Sequence, residues 1–164
     1  MERAAEQGER LSVRGLTPSD LDGVIAIDER ITGRRRDEYF RMKFKEDLAQ
    51  TGVRISLAAE VEGTLSGFLL AKVYFGEFGT LEPAAVLDTL GVRPEFQHQG
   101  VGSALLRQLR TNLAGIGVGR VQTEVGWDDP LLVGFFRREG FRMAPRICLD
   151  LELSRRPRDD GEAA

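Results

Sequence analysis

Leu90, Gly91, Val92, Arg93, Pro94, Glu95, Phe96, Gln97, His98, Gln99, Gly100, Val101, Gly102, Ser103 reads as a strand that breaks into a glycine-punctuated loop and then opens an amphipathic helix. Gly100 and Gly102 lack a Cβ, so backbone N–H groups can close around phosphate oxygens while the positive end of the following helix faces the same anion. The stretch therefore predicts a pyrophosphate cradle. Other phosphate loops do not fit. A Walker loop needs a lysine and a hydroxyl after its last glycine, and a dinucleotide fingerprint needs a third glycine and a ribose-binding acid about 20 residues on. The bland alternative is a strand-to-helix turn that merely tolerates glycines.

Working outward, the helix from Val101 carries Val101, Leu105, Leu106, Leu109 and Leu113 on one face and Arg107, Gln108, Arg110 and Asn112 on the other. It ends near Gly115–Gly119. Upstream, Ala84–Val92 is apolar enough for a central strand, Gly76–Pro83 is a loop, and Ile55–Val61 with Leu65–Phe75 form a hairpin about Glu62 and Gly63. Leu11–Arg14 is a short first strand. Thr17, Pro18, Ser19 and Asp20 then supply an N-cap, a first-turn proline and a capping acid. The stripe Leu21, Val24, Ile25, Ile27, Ile31 makes one helix and Tyr39, Phe40, Phe44, Leu48 a second. Downstream, Arg120–Val125 is a strand, Asp129 and Pro130 start a helix to Glu139, and Gly140 with Phe141 leads into strands ending at Leu153.

The spacing of Gln97, Gly100 and Gly102 after a β-rich run resembles the acyl-CoA signature of the GNAT superfamily of N-acyltransferases. The element order resembles that fold from Leu11 to Leu153. Glu124, Val125, Asp129, Phe136, Gly140 and Phe141 resemble its C-terminal landmarks, with Asp129 and Phe136 altered from asparagine and tyrosine. The resemblance implies an α/β (α+β) fold: a mixed, mostly antiparallel sheet of six to seven strands, about four flanking helices, and a splayed CoA-binding cleft. It implies that a bulge separates the strands holding Leu90 and Val125. Pantetheine then lies on backbone groups of Leu90 and Val92 as an added strand, next to Gly91. The Leu90 amide would meet the oxyanion formed when an amine attacks. The implied phosphate cradle is Gln97, His98, Gln99, Gly100, Val101, Gly102 and Ser103, with Asp129 and Phe136 along the cofactor.

A protonated amine cannot attack, and holding it neutral at pH 7 costs about 4 kcal/mol unless a base accepts the proton. Asp88 stands where arylalkylamine acetyltransferases of the superfamily place a catalytic histidine. Glu124 stands where the ribosomal-protein N-terminal acetyltransferase branch uses a glutamate. Both lie in otherwise apolar strands, where desolvation is expected to raise their pKa. Either could instead cap a sheet hydrogen bond or pair with an arginine. Phe136 has no hydroxyl for the departing thiolate. CoA thiol has a pKa near that of cysteine, so water or another hydroxyl suffices. Tyr74 and Tyr39 are the only tyrosines. Tyr74, with Phe75 and Phe78, is the one placed to reach the site, although a core or surface role is the commoner fate of such a ring.

The rest of the chain sets bounds. With 164 residues, 41% hydrophobic, it makes one domain, 11–153, between a flexible N-terminus 1–10 and a disordered charged tail 154–164. A net charge of −3 favours neither nucleic acid nor an anionic membrane. The segment Met1–Arg10 has no apolar stretch, so neither a signal peptide nor a membrane span is expected. The lone Cys148 excludes an internal disulfide and the lone His98 a metal constellation, which fits a reducing cytoplasm. Cys148 is expected to pack, as is Trp127 unless it walls the acceptor pocket or bridges a dimer. The basic run Arg34, Arg35, Arg36, Lys43, Lys45 could attract an acidic acceptor or be a solvated face. Together these readings give an N-acetyltransferase moving acetyl from acetyl-CoA to a primary amine of a small molecule or peptide, by direct attack in a ternary complex. The alternative is a non-catalytic acyl-CoA sensor or interaction module. A homodimer is left open.

Overall fold

The computed structural model describes residues 11–49, 55–76 and 79–153. Runs of apolar residues, buried on both faces through the middle of β3, build a five-stranded sheet of β1 (Leu11–Gly15), β2 (Leu57–Val61), β3 (Thr64–Tyr74), β4 (Ala84–Val92) and β5 (Val121–Gln122), paired in that order. Neighbours are antiparallel as far as β4, and β4 pairs with β5 in parallel. A parallel pair needs a crossover. Helix α3 (Val101–Gly115) supplies it, after a single 3₁₀ turn at Pro94–Phe96.

Each sheet face is covered by one pair of helices. Leu105, Leu106, Leu109 and Leu113 of α3 and Phe136 of α4 (Pro130–Arg138) pack on Leu69, Ala85 and Leu87. On the other face, Val24, Ile25 and Ile27 of α1 (Leu21–Thr32) and Phe40 and Phe44 of α2 (Asp37–Leu48) meet Phe68 and Leu70. Of the helical stripes expected from spacing, Val24, Ile25, Ile27, Phe40, Phe44, Val101, Leu105, Leu106, Leu109 and Leu113 are buried, Leu21 and Tyr39 are half-buried, and Ile31 is 45% exposed near the end of α1.

The Thr17–Asp20 signal forms a 3₁₀ turn ahead of α1. The buried Asp20 carboxylate accepts from the Thr17 amide at 2.8 Å and from both terminal nitrogens of Arg14 at 2.8 Å. Burial pushes this carboxyl up, but the bonds from Arg14 and Thr17 outweigh it and hold it below its ordinary value. A carboxylate depressed in the folded state contributes stability that is fully present above the unfolded value near 4. That contribution is lost as pH falls through the lower, folded value. Thermal melts should therefore show Tm falling as pH drops below about 4, with a shallower fall in Asp20→Asn.

Six or seven strands were expected, and five are formed among the described residues. β5 is two residues long rather than Arg120–Val125, and no closing strand forms between Phe141 and Leu153. The reason is pairing. A closing strand needs a neighbouring edge, and β5 is in register with β4 only at Ala85↔Val121 and Val86↔Gln122. Cys148, expected to pack, is exposed on that unpaired segment. The N-terminus 1–10, the tail 154–164 and Phe78 lie outside the described residues.

Candidate active site

The β3–β4 register slips at one point: Leu70 faces Thr89 and Ala71 faces Leu87, so Asp88 is the extra residue of a β-bulge. The bulge turns two successive side chains, Asp88 and Thr89, to the α2 side. There the Tyr39 hydroxyl donates to Asp88 Oδ2 at 2.5 Å and lies 3.2 Å from Thr89 Oγ1. Lys43 Nζ sits 3.3 Å from the same Oδ2, and the Thr89 hydroxyl donates to it at 3.3 Å. All these partners hold one carboxylate oxygen, and Oδ1 is left free of them. Burial and Asp88 together push the Tyr39 hydroxyl up, so it stays a donor through neutral pH. Burial pushes Lys43 down, yet Asp88 more than offsets it and the ammonium is held charged.

The bulge also marks where β4 and β5 part. Beyond Gln122 the Thr123 hydroxyl, not a backbone amide, reaches the Leu87 carbonyl at 2.9 Å. Past it, Glu124 lies two residues beyond the last paired position of β5, as Asp88 does beyond that of β4. Both are exposed rather than desolvated, which corrects the expected burial of the two carboxylates. Further along, the Arg93 amide donates to Ser66 on β3 at 2.8 Å. Backbone groups alternate sides along a strand, so those of Leu90 and Val92 point into the gap. Gly91 lies beneath them, where a Cβ would come within 2.5 Å of the buried Phe68 ring.

The loop after β4 is shaped for an anion. His98 (φ 59°) and Gly100 (φ 83°) adopt left-handed conformations, which turn successive amides to one side. Gly100 N-caps α3 without any side-chain bond, so the first-turn amides of Val101, Gly102 and Ser103 have no capping group. Nearby in sequence, Arg93 Nε is buried without a hydrogen-bond partner, a donor that an anionic group would satisfy. These features fit a pyrophosphate, and with it a CoA-type donor.

Several expected cofactor contacts have other occupations. Gln97 Nε2 donates to the Val92 carbonyl at 3.1 Å and Gln99 Nε2 to the Glu95 carbonyl at 2.8 Å, pinning the loop to itself. The Ser103 hydroxyl donates to Glu139 at the end of α4. Gly102 is small because of packing, since a Cβ would stand 3.0 Å from Phe135. Asp129 caps α4 through the Leu132 amide at 3.0 Å. Phe136 is buried between Phe135 and Phe141 at ring distances of 5.3 and 4.9 Å. It belongs to the core.

Tyr39 and Thr89 are the participants that sequence reasoning overlooked. The signal was there: Arg36, Tyr39, Phe40 and Lys43 recur at three- and four-residue spacing along one side of α2. Tyr74 lies under Lys72 at 5.5 Å and lines the pocket that Asp88 and Lys43 share. The basic run is largely neutralised, because Arg35 pairs with Glu29 and Asp37, and Arg36 with the buried Asp28. Arg36 also covers the Tyr39 and Phe40 rings at 4.8 and 5.4 Å. Trp127 is 96% exposed and not part of the core.

Two substitutions read these arrangements. Arg36→Ala strands the Asp28 carboxylate and uncovers Tyr39, and should cost about 2–3 kcal/mol in chemical denaturation. Gly100→Val forces a β-branched residue into the left-handed region, a strain of about 1–3 kcal/mol. It should weaken CoA binding about ten- to a hundredfold by calorimetry while leaving the far-UV spectrum unchanged.

The Acetyltransferase (GNAT) family model matches residues 23–141. Among solved structures, the aminoglycoside N-acetyltransferase AAC(6')-Iy in complex with CoA superposes with a TM-score of 0.74 at 16% identity, covering 87% of this chain and 94% of that one. An aminoglycoside acetyltransferase from an uncultured soil metagenomic sample, in complex with sisomicin, gives 0.71 at 18% identity over 90% and 99%. The ribosomal-protein-S18-alanine N-acetyltransferase of Escherichia coli gives 0.67 at 22% identity over 82% and 79%. Among the described residues no cluster of His, Cys, Asp or Glu could hold a metal, and no helix is long and apolar enough to cross a membrane. With its bulged β4, its splayed fifth strand and its uncapped helix start, the chain belongs to the GNAT family of acetyltransferases, which move acetyl from acetyl-CoA to an amine.

Proposed function

We propose that the acceptor amine enters beside Asp88 and that Asp88 is the general base. One observation carries this reading: Tyr39, Lys43 and Thr89 all hold Oδ2, so the free Oδ1 is fixed in place at the mouth of the gap. Oδ1 accepts the ammonium proton, directly or through one water, and the neutral amine then attacks the thioester carbon. Glu124, just past the paired part of β5, adds negative charge that draws the cationic amine. The Leu90 amide, turned into the gap, donates to the carbonyl oxygen as it gains charge. Leu90 and Val92 backbone groups, with Gly91 beneath, take the pantetheine arm as an added strand. The amides of Val101, Gly102 and Ser103, the His98–Gly100 turn and Arg93 take the pyrophosphate, whose donor supplies an activated acetyl group. Gln97 and Gln99 hold that loop in shape, and Asp129 positions α4. No covalent enzyme intermediate is needed.

The pocket on the Asp88 side is lined by Lys43, Glu46, Asp47, Ser56, Lys72 and Tyr74. Three carboxylates, counting Asp88, and two ammonium groups suit a primary amine on a polar, hydrogen-bonding body, either a small molecule or a peptide N-terminus. The charge of −3 favours no polyanionic partner, and the single cysteine suits a cytoplasmic setting. The absence of a hydroxyl at the buried Phe136 favours one second reading, an acyl-CoA sensor without turnover. Release of free CoA thiol from acetyl-CoA against amino-sugar, polyamine and peptide acceptors separates the two. Turnover with one class establishes the enzyme reading and its acceptor; tight acetyl-CoA binding with no turnover on any class supports the sensor.

A further inference from the structure

The sheet face that carries Asp88 continues past it towards the start of β4. Lys72 and Tyr74 on β3 are paired with Val86 and Ala84, and Val86 with Gln122 on β5. Their neighbours Ala71, Ala85 and Leu87 lie in the α3–α4 core, so Lys72, Tyr74, Val86 and Gln122 alternate onto the opposite face, that of Leu70 and the α1–α2 core. Two cavities open there and share Tyr74 and Val86 as a common wall, so they form one trough. The cavity beside Asp88 is small, about 40 Å³, and the one beyond it holds about 280 Å³, close to the size of small-molecule sites.

The trough is polarised. At its Asp88 end Glu46, Asp47 and Asp88 outnumber Lys43 and Lys72. At the far end Arg120 and Arg146 share the lining with one carboxylate, Glu82. Arg120 Nη2 reaches the Thr80 hydroxyl at a long 3.4 Å, and Arg120 Nε is buried with no hydrogen-bond partner among the described residues. Such a donor costs free energy until an acceptor reaches it. The Arg120 carbonyl accepts from the Ala85 amide at 2.8 Å, which fixes its level on the sheet. From Ala85, Asp88 is three residues further along β4, about 10 Å at the rise of a strand.

Given that the amine enters beside Asp88, we propose that the acceptor also carries a carboxylate, about 10 Å from the reacting nitrogen, which Arg120 and Arg146 hold. A guanidinium presents paired N–H donors that match the two oxygens of a carboxylate. Two guanidinium groups against Glu82 leave one positive charge in excess, which fits a monoanion; a phosphate dianion would leave charge uncompensated there. The separation excludes an α-amino acid, whose amine and carboxylate share one carbon. Linear ω-amino acids and short peptides with a free C-terminus both have the required chemistry. The polarised trough then sets the direction of binding, because a reversed acceptor would meet its own sign of charge at each end.

Calorimetric titration of the intact protein, with CoA present, tests this on two matched pairs: 8-aminooctanoate against 8-aminooctanamide, and Gly-Gly-Gly against its C-terminal amide. Extended, each acid spans about the required 10 Å. In at least one pair the acid should bind about tenfold more tightly than the amide, and the pair that does so separates the aliphatic source from the peptide. Arg120→Gln and Arg146→Gln should each abolish that preference and leave CoA affinity unchanged. Arg146 is exposed, so its variant reports even where Arg120→Gln fails to fold. Equal affinity within both pairs, no measurable binding of either acid, or a preference that survives in Arg146→Gln overturns the proposal. Thiol release from acetyl-CoA with the same four compounds judges the underlying reading separately. An acid preference in binding without turnover counts against acetyl transfer and keeps the subsite, whereas turnover indifferent to the carboxylate keeps acetyl transfer and overturns the subsite.

Discussion

Asp88→Asn lowers kcat for acetyl transfer by about 10²- to 10⁴-fold, the usual worth of a positioned general base, and leaves acetyl-CoA affinity within about twofold. The asparagine keeps the size of the side chain and can keep the Tyr39 contact, so the bulge and its hydrogen bonds survive. What it lacks is a free oxygen able to take a proton. Steady-state thiol release with a saturating acceptor gives kcat, and calorimetry gives donor affinity. Glu124→Gln tests the rival assignment on the same assay. If Glu124 only attracts the amine, its loss raises KM for the acceptor and spares kcat. A collapse of kcat in Glu124→Gln with an unaffected Asp88→Asn would transfer the base to Glu124.

Phe68→Ala is expected to destabilise the protein by about 3–5 kcal/mol, measured by urea denaturation. The Phe68 ring is fully buried and meets Phe40 of α2 edge-on at 5.8 Å. Its other side fills the space that Gly91 leaves by having no Cβ. Truncation therefore opens a cavity between α2, which carries Tyr39 and Lys43, and the part of β4 that faces the gap. For a domain of this size such a loss consumes much of the total stability. The surviving folded fraction should also bind acetyl-CoA more weakly. A loss below about 1 kcal/mol would mean that the two layers can collapse around the gap, against the packing described here.

Much of this was legible in the sequence. The glycine-spaced loop at Gly100 and Gly102 announced the strand-to-helix transition, and the stripes at Val24–Ile27 and Leu105–Leu113 announced which helix faces are buried. These are local signals, and local periodicity suffices to read them. The family resemblance implied a bulge between the strands of Leu90 and Val125 but not its place at Asp88 in the β3–β4 pairing, because a register slip depends on the partner strand and leaves no mark in β4 itself. Tyr39 escaped for a similar reason. It is 49 residues from Asp88, and only the packing of α2 on the sheet brings them together. Gly102 carries a second constraint that no local pattern shows: Phe135 stands 3.0 Å from where its Cβ would be. The closing strands misled because Ile147–Leu153 alternates as a strand should, while pairing is a property of edges and not of the segment alone.

The central claim is that the gap between β4 and β5 is the donor cleft. Amide hydrogen exchange of the intact protein, with and without CoA, tests it without knowledge of the acceptor. The account predicts that CoA slows exchange at the Leu90 and Val92 amides and at residues 100–103, with little change on β1 and β2. Binding that leaves those amides exchanging as before, or that protects a different surface, would contradict it.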